Sequence, residues 1–210
     1  MMLGGPRFEV PFIAQLTKFK RQHVFANASV YQAMEPVVLV RHNPAWSQKY
    51  QQEKSKIRQL LGPLLIATYH VGSTSIPGIK AKPIIDILAL VRDIESIEER
   101  NEQFQEIGYT PRGEAGIKGR RFFRKHTEPV GFHLHFYDMA NKSVRSYIDF
   151  RDYLIAHPGS AEEYEELKIQ LAAKYGNDRT TYTEAKADFI EEILQTALDW
   201  KNKIFSPNES

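Results

Sequence analysis

The sequence predicts an α+β domain in which a mixed β-sheet is packed with helices and the last third of the chain is helical. Three strongly apolar runs, at 64–71, 84–91 and 131–137, are typical of strands. The last third lacks such runs and is interrupted by turn-forming residues at 157–159 and 176–178. An order of strands and helices that ends in a helical part is typical of the α+β class.

The first half of the domain is ordered by local signals. Asn43 and Pro44 predict a helix start, because an Asn side chain caps a helix and proline suits its first position. The Gly-Pro pair at 62–63 predicts its end. The strand at 64–71 follows, and then a loop at 72–83 that contains several turn formers.

The second half begins with the run at 84–91, which is apolar nearly throughout except for Asp86. This pattern predicts a central strand that is buried on both faces. Asp93 can cap a helix that runs to Gly108, where glycine ends it. The remaining predicted elements are strands at 109–112, 121–124 and 131–137 and helices at 143–156, 160–175 and 183–203.

The chain divides into three parts by pattern. Residues 1–36 show no clear periodicity of apolar residues and are interpreted as an N-terminal extension. Residues 37–200 form the regular domain, and 201–210 form a short C-terminal tail.

Composition limits the possible chemistry. The chain has 210 residues, is 42% hydrophobic and 26% charged, and is therefore expected to be globular. It has no cysteine, which excludes disulfides, cysteine-bound zinc, iron–sulfur clusters and thiol nucleophiles. No segment reaches the ~18 apolar residues of a membrane helix, and the start does not resemble a secretory signal. We therefore expect no membrane association and a cytoplasmic protein.

The near-neutral charge hides a basic stretch. The chain has 28 Lys and Arg against 26 Asp and Glu. Residues 112–125, however, carry six basic side chains and only Glu114 as an acid. A short basic stretch suits a small anion better than an extended nucleic acid, which needs a broad basic face. The alternative is a solvated hairpin.

A candidate phosphate site lies where the first strand ends. Gly72 lets backbone amides approach a ligand, and Ser73 adds a hydroxyl. Asp86, the lone charge in its strand, needs a partner such as a metal or a cation. A hard divalent ion that holds a triphosphate would supply one. The alternative is a loop glycine and a carboxylate neutralised by a neighbouring Lys or Arg.

Two histidines on a later strand are further candidates. His133 and His135 are separated by one residue, so both leave the same face of the strand. With Asp86 they could bind a transition metal, exchange protons near neutral pH, or contact phosphate when protonated. The alternative is a pair of hydrogen-bonded sheet histidines.

Several basic residues flank these candidates. Lys82 precedes the Asp86 strand, and Arg121 and Arg124 precede the histidine strand. Arginine's planar fork suits phosphate, so we expect these side chains to bind a nucleotide tail. Lys186 lies one helical turn after Tyr182 and shares its face. Each of these residues could also be a surface charge.

These segments together resemble the GrpB-like family, a largely uncharacterised group placed in the nucleotidyltransferase superfamily with its DNA polymerase β-like fold. The string GSTSIPGIKAKPIID at 72–86 is the most specific part. The resemblance covers about 37–200, and its further motifs are at 43–46, 133–135, 150–154, 157–158, 182–186 and 189–190.

The resemblance implies a metal-dependent enzyme that binds a nucleoside triphosphate and transfers a nucleotidyl group to an acceptor. Gly72 and Ser73 would hold the β- and γ-phosphates, and Asp86 would hold Mg²⁺ or another divalent metal. Lys82, Arg121 or Arg124 would offset phosphate charge, and the helix that carries Lys186 would close over the cleft. His133 and His135 would act as ligands or proton-transfer groups.

One departure from the superfamily keeps two other hypotheses open. The position two residues after Asp86, where a second metal-binding carboxylate is expected, is Leu88. A third carboxylate is expected on a later strand, where this chain has His133 and His135. The first alternative is a non-catalytic module that binds nucleotide or phosphate. The second is a transition-metal hydrolase that uses Asp86 and both histidines.

Overall fold

The computed structural model describes residues 36–205. The predicted N-terminal extension lies outside the described residues except for Pro36, and 206–210 also lie outside them. The final helix continues to Phe205, five residues past the boundary expected at 200.

A mixed sheet of five strands forms the centre of the protein, which confirms the predicted class. Its spatial order is β1-β2-β5-β4-β3. β2 and β5 are parallel, and the other neighbours are antiparallel. The strands are β1 Leu65–Val71, β2 Ile84–Val91, β3 Thr110–Pro111, β4 Arg121–Lys125 and β5 Gly131–Asp138.

Helices cover the sheet and form the C-terminal part. They are α1 Ala45–Leu61, α2 Asn101–Glu106, α3 Ser143–Ala156, α4 Pro158–Tyr175, α5 Arg179–Glu184 and α6 Ala187–Phe205. Short 3-10 helices lie at Gly62–Leu64, Ser73–Ser75 and Glu95–Arg100. Among the helices that the structure describes, we find none with both the length and the apolar character needed to span a membrane.

The ends of α1 show how local sequence sets an element. The Asn43 side chain accepts a hydrogen bond from the Ala45 amide at 2.9 Å, and Pro44 precedes the first helical residue. At the other end Gly62 adopts a φ of 51°, which L-residues with a side chain rarely adopt. The predicted start and end of this helix therefore agree with the structure.

Two helical predictions were wrong in detail. The segment predicted as one helix from Asp93 to Gly108 is a 3-10 helix followed by the short helix α2. The segment predicted as one helix at 183–203 begins earlier, at Arg179, and is interrupted at 185–186 between α5 and α6.

The two faces of the sheet belong to different hydrophobic clusters. Alternate side chains of β2 and β5, such as Ile87 and Leu134, pack with α1 and α2. The other set, which includes Leu88 and Tyr137, packs with α3 residues such as Tyr147. A third cluster joins α3, α4 and α6 to the loop after β1. The candidate site lies on the α3 face, beside this loop.

Candidate functional site

The centre of the site is a carboxylate that faces two imidazoles. Asp86 and His133 are register partners on the parallel strands β2 and β5, so their side chains leave the same face. His133 Nδ1 lies 3.2 Å from Asp86 Oδ1, and His135 Nε2 lies 3.6 Å from the same oxygen. The structure thus brings together the three residues that the sequence indicated as catalytic or metal-binding.

The Gly-Ser turn packs directly against this carboxylate. Gly72 has a φ of 70°, and a Cβ added there would lie 2.3 Å from Asp86 Oδ2. Only glycine therefore permits this approach. Ser73 begins the following 3-10 helix, and its hydroxyl donates to the Tyr164 hydroxyl at 3.4 Å. The turn therefore packs against Asp86 on one side and against Tyr164 on the other.

Thr74 and His70 hold the turn to the sheet. The Thr74 hydroxyl donates to the Ile84 carbonyl at 3.1 Å, and His70 Nε2 lies 3.0 Å from the same hydroxyl. The His70 ring stacks on Tyr50, with centroids 5.1 Å apart. The turn is therefore fixed to both β1 and the start of β2.

Burial and hydrogen bonding set the protonation of the three central groups. Burial alone would raise the pKa of Asp86, but hydrogen bonds from His133 and His135 reverse this and hold it well below its ordinary value. Burial lowers the pKa of His135 to about 4 and also lowers that of His133, although Asp86 opposes both shifts. Near pH 7, Asp86 is therefore an ionised carboxylate that faces two neutral imidazoles.

Two lysines and a tyrosine form a basic pocket near Asp86. Lys82 Nζ and Lys186 Nζ lie 5.1 and 4.5 Å from the centre of the Tyr182 ring. Burial, with the charge of Lys186, lowers the pKa of Lys82 to about 7; burial lowers that of Lys186 to about 8, although Asp86 opposes it. Because burial makes these lysines costly to charge, a bound anion would stabilise their charged form.

The two predicted arginines separate onto opposite faces of β4. Arg124 pairs with His133 in the sheet register and lies on the site face, with its guanidinium 5.3 Å from the centre of the Phe122 ring. Arg121 pairs with Phe136, so it lies on the opposite face. There it forms ion pairs with Glu95 and Glu98 at 2.8 and 2.6 Å. The prediction that Arg121 binds phosphate was therefore wrong.

Three residues that the sequence analysis did not select also border the site. Arg120 Nη1 lies 3.4 Å from His135 Nδ1. Tyr164 is buried beside Ser73, and burial raises its pKa to about 12. Lys168, also buried, donates to the Lys80 carbonyl, and its pKa is lowered to about 7, chiefly by burial. Arg120 lay within the basic stretch, but nothing local marked Tyr164 or Lys168.

The donor set determines which metal the centre could hold. Within the described part of the chain, Asp86, His133 and His135 each offer a ligand atom, and these atoms lie within 4.8 Å of one another. Imidazole suits Mn²⁺ less well than Zn²⁺ or Fe²⁺, whereas Mg²⁺ prefers oxygen and is often held by one carboxylate together with substrate phosphates. A transition ion fits the three donors, and Mg²⁺ fits Asp86 alone.

The fold and site define a mixed-sheet α+β protein with a carboxylate–histidine centre beside a basic pocket. The family model described as "GrpB protein" matches residues 36–196. The chain belongs to the GrpB family, and the membership predicted from its motifs is confirmed.

Relatives support the assignment along most of the domain. The chain is 42% identical over 165 residues to "UPF0157 protein YqkA" of Bacillus subtilis, a match that covers 79% of this chain and 48% of that protein. The chain thus spans about half the length of that relative. It is 39% identical over 163 residues to "Glutamate-rich protein GrpB" of Alkalihalophilus pseudofirmus, a match that covers 75% and 94% of the two chains.

A solved structure shares the fold. The crystal structure of conserved protein GrpB from Enterococcus faecalis matches with a TM-score of 0.75 and 34% identity. The match covers 79% of this chain and all of that chain. The names of these relatives denote a family and no reaction, so nucleotidyl transfer stays a prediction.

Proposed function

We propose that this protein is a metal-dependent nucleotidyltransferase that binds a nucleoside triphosphate and transfers a nucleotidyl group to an acceptor. One observation carries the proposal: the Gly72-Ser73 turn packs against Asp86, which faces both histidines. A phosphate cradle and a metal-binding carboxylate are thereby adjacent.

The basic pocket supplies the charge that a triphosphate requires. The ammonium groups of Lys82 and Lys186 both lie over the ring of Tyr182. Arg124 lies on the same sheet face as His133. These cations would bind the β- and γ-phosphates together with the donors of the turn. A divalent metal bound at Asp86 would neutralise phosphate charge and polarise the reacting phosphorus.

The proposed reaction is a substitution at the α-phosphorus. An acceptor hydroxyl or amine forms a bond to this phosphorus, and the bond to the bridging oxygen breaks. Pyrophosphate leaves with the electron pair. His133, which is neutral near pH 7 because of its burial, accepts the acceptor's proton.

Asp86→Asn is expected to remove most nucleotide binding in the presence of Mg²⁺ or Mn²⁺. The amide keeps the shape of the carboxylate but loses the charge that a metal–triphosphate complex needs. Calorimetry with ATP, GTP, CTP and UTP should show at least about a tenfold loss of affinity. Asp199→Asn, on the exposed face of α6, is the matched control. Binding of no nucleotide to the unmodified protein would reject the proposal.

Nucleotide binding is also expected to take up protons and to weaken at alkaline pH. The lowered pKa values of Lys82 and Lys186, about 7 and 8, leave both lysines partly neutral above pH 8. A bound anion raises both pKa values, so affinity is full below the free pKa values and falls as pH rises above them.

Between about pH 7.5 and 9.5 the affinity should fall at least about tenfold. Calorimetry in buffers of different ionisation enthalpy measures the proton uptake directly. Lys186→Met should flatten the pH profile and reduce the uptake. A profile that is flat in the unmodified protein would show that these lysines do not contact the anion.

A non-catalytic phosphate-binding module is the second candidate, and Leu88 favours it. Leu88 occupies the position expected for a second metal-binding carboxylate and is completely buried among apolar side chains. This function predicts nucleotide binding that persists after chelation of divalent metals. It also predicts no release of pyrophosphate with any acceptor, and detection of pyrophosphate would exclude it.

A further inference from the structure

A buried arginine contacts the histidine that lies deepest in the site. Arg120 is 7% exposed and immediately precedes β4, which begins at Arg121. Its Nε donates to the Glu114 carbonyl at 3.1 Å, and its Nη2 donates to the Ala115 carbonyl at 2.9 Å. Its guanidinium also lies 4.7 Å from the centre of the Phe122 ring. The position of the guanidinium is therefore fixed independently of His135.

The remaining nitrogen of this guanidinium determines where His135 carries its proton. Arg120 Nη1 lies 3.4 Å from His135 Nδ1. A guanidinium has donors and no acceptor, so Nδ1 must accept this hydrogen bond through its lone pair. A ring nitrogen that accepts a hydrogen bond carries no proton, so the one ring proton of His135 lies on its other nitrogen. That proton is on Nε2, which faces Asp86 Oδ1 at 3.6 Å.

We propose that Arg120 is a positioning residue that fixes the tautomer of His135, makes this histidine a hydrogen-bond donor to Asp86, and withdraws it from the metal ligands. A metal at Nε2 needs the lone pair of that nitrogen. If the proton moved to Nδ1, it would point at the donor of Arg120. The protein groups left to hold a metal would then be Asp86 and, where it does not serve as the proton acceptor, His133.

The tautomer is a property of the ligand-free protein and does not depend on nucleotidyl transfer. Long-range ¹H–¹⁵N correlation spectra of the full chain, labelled with ¹⁵N-histidine, report the protonation of each ring nitrogen. His133→Gln and His135→Gln assign the two signals. At pH 7.5 we expect His135 to be protonated at Nε2 and unprotonated at Nδ1. A proton on Nδ1, alone or together with one on Nε2, would overturn the proposal.

The consequence for metal binding is tested with a pair of arginine variants. Arg120→Met keeps much of the side-chain volume but removes the donor, which frees His135 to become a third ligand. Arg121→Met is the matched control, because Arg121 lies on the opposite face and pairs with Glu95 and Glu98. Zn²⁺ and Co²⁺ are titrated without nucleotide, so the result is separate from any failure of the proposed reaction.

We expect Arg120→Met to bind Zn²⁺ at least about tenfold more tightly than the unmodified protein, with a Co²⁺ absorption spectrum that gains a nitrogen ligand. Arg121→Met should show neither change. Absence of a gain in folded Arg120→Met would overturn the withdrawal of His135 from the ligands. If Arg120→Met does not fold, the tautomer in the unmodified protein decides the proposal by itself.

Discussion

Replacing Gly72 with alanine is expected to abolish nucleotide binding while the protein remains folded. The new Cβ would lie 2.3 Å from Asp86 Oδ2 and 3.0 Å from its Cγ. The carboxylate cannot move aside without breaking its contacts with His133 and His135. Gly72 has a φ of 70° and a ψ of −175°, a region essentially restricted to glycine, so alanine adds about 1–3 kcal/mol of backbone strain.

Gly78→Ala is a matched control for this effect. Gly78 lies in the same loop and has a φ of 86°, but a Cβ added there meets nothing within 4 Å. Alanine at this position also has to adopt a positive φ, but it does not displace Asp86. Calorimetric titration with a nucleoside triphosphate should detect no binding by Gly72→Ala and near-normal binding by Gly78→Ala. Equal affinities in the two variants would show that the turn and the carboxylate do not act together.

Glu53→Ala is expected to lower the free energy of unfolding by about 3–5 kcal/mol, far more than the loss of a surface ion pair. The Glu53 side chain on α1 is 3% exposed, and its Oε1 lies 2.7 Å from Lys125 Nζ on β4. Lys125 is 10% exposed in its side chain, so the variant would leave a buried ammonium group without this partner. Urea unfolding at pH 7 measures the change in the free energy of unfolding.

Two comparisons separate the buried pair from ordinary surface charge. The double change Glu53→Met and Lys125→Met should recover most of the loss, because it removes both buried charges together. Arg145→Ala, which breaks a pair with Asp149 through an arginine side chain that is 71% exposed, should cost less than about 1 kcal/mol. A cost below about 1 kcal/mol for Glu53→Ala would contradict the importance of the buried pair.

The long strands and one helix could be predicted because their signals are local. β2 was predicted at 84–91 and spans Ile84–Val91, since its apolar run is bounded by turn formers and charges. The helix predicted at 143–156 corresponds to α3, which ends before a His-Pro-Gly break. At 93–108 the Asp93 side chain caps the start as predicted, by accepting a bond from the Glu95 amide, but the segment divides into a 3-10 helix and α2.

Arg120, Arg121 and Arg124, in and next to β4, show why local sequence could not determine which arginines face the site. All three lie in one basic stretch: Arg121 and Arg124 are on opposite faces of β4, and Arg120, just before the strand, contacts His135. Which face meets the histidines depends on the register in which Phe122 pairs with His135. This register is a long-range pairing, so Arg121 was chosen and Arg120 was missed.

The approach of distant helices was also beyond local patterns. Tyr164 and Lys168 lie on α4, more than seventy positions after the Gly-Ser turn in the chain. In the sequence, Tyr164 and Lys168 are four positions apart, a spacing that is typical of one face of any amphipathic helix. Only tertiary packing shows that they border Ser73 and Lys80.

The parallel pairing of β2 with β5 has a mechanical consequence for the site. The spacing between Asp86 and His133 is set by backbone hydrogen bonds of adjacent central strands, so the carboxylate–histidine half behaves as a stiff frame. Lys186, by contrast, lies in the turn at 185–186 that separates α5 from α6. The separation of the carboxylate and the histidine is therefore set by the sheet, whereas the position of this lysine is set by how two helices meet.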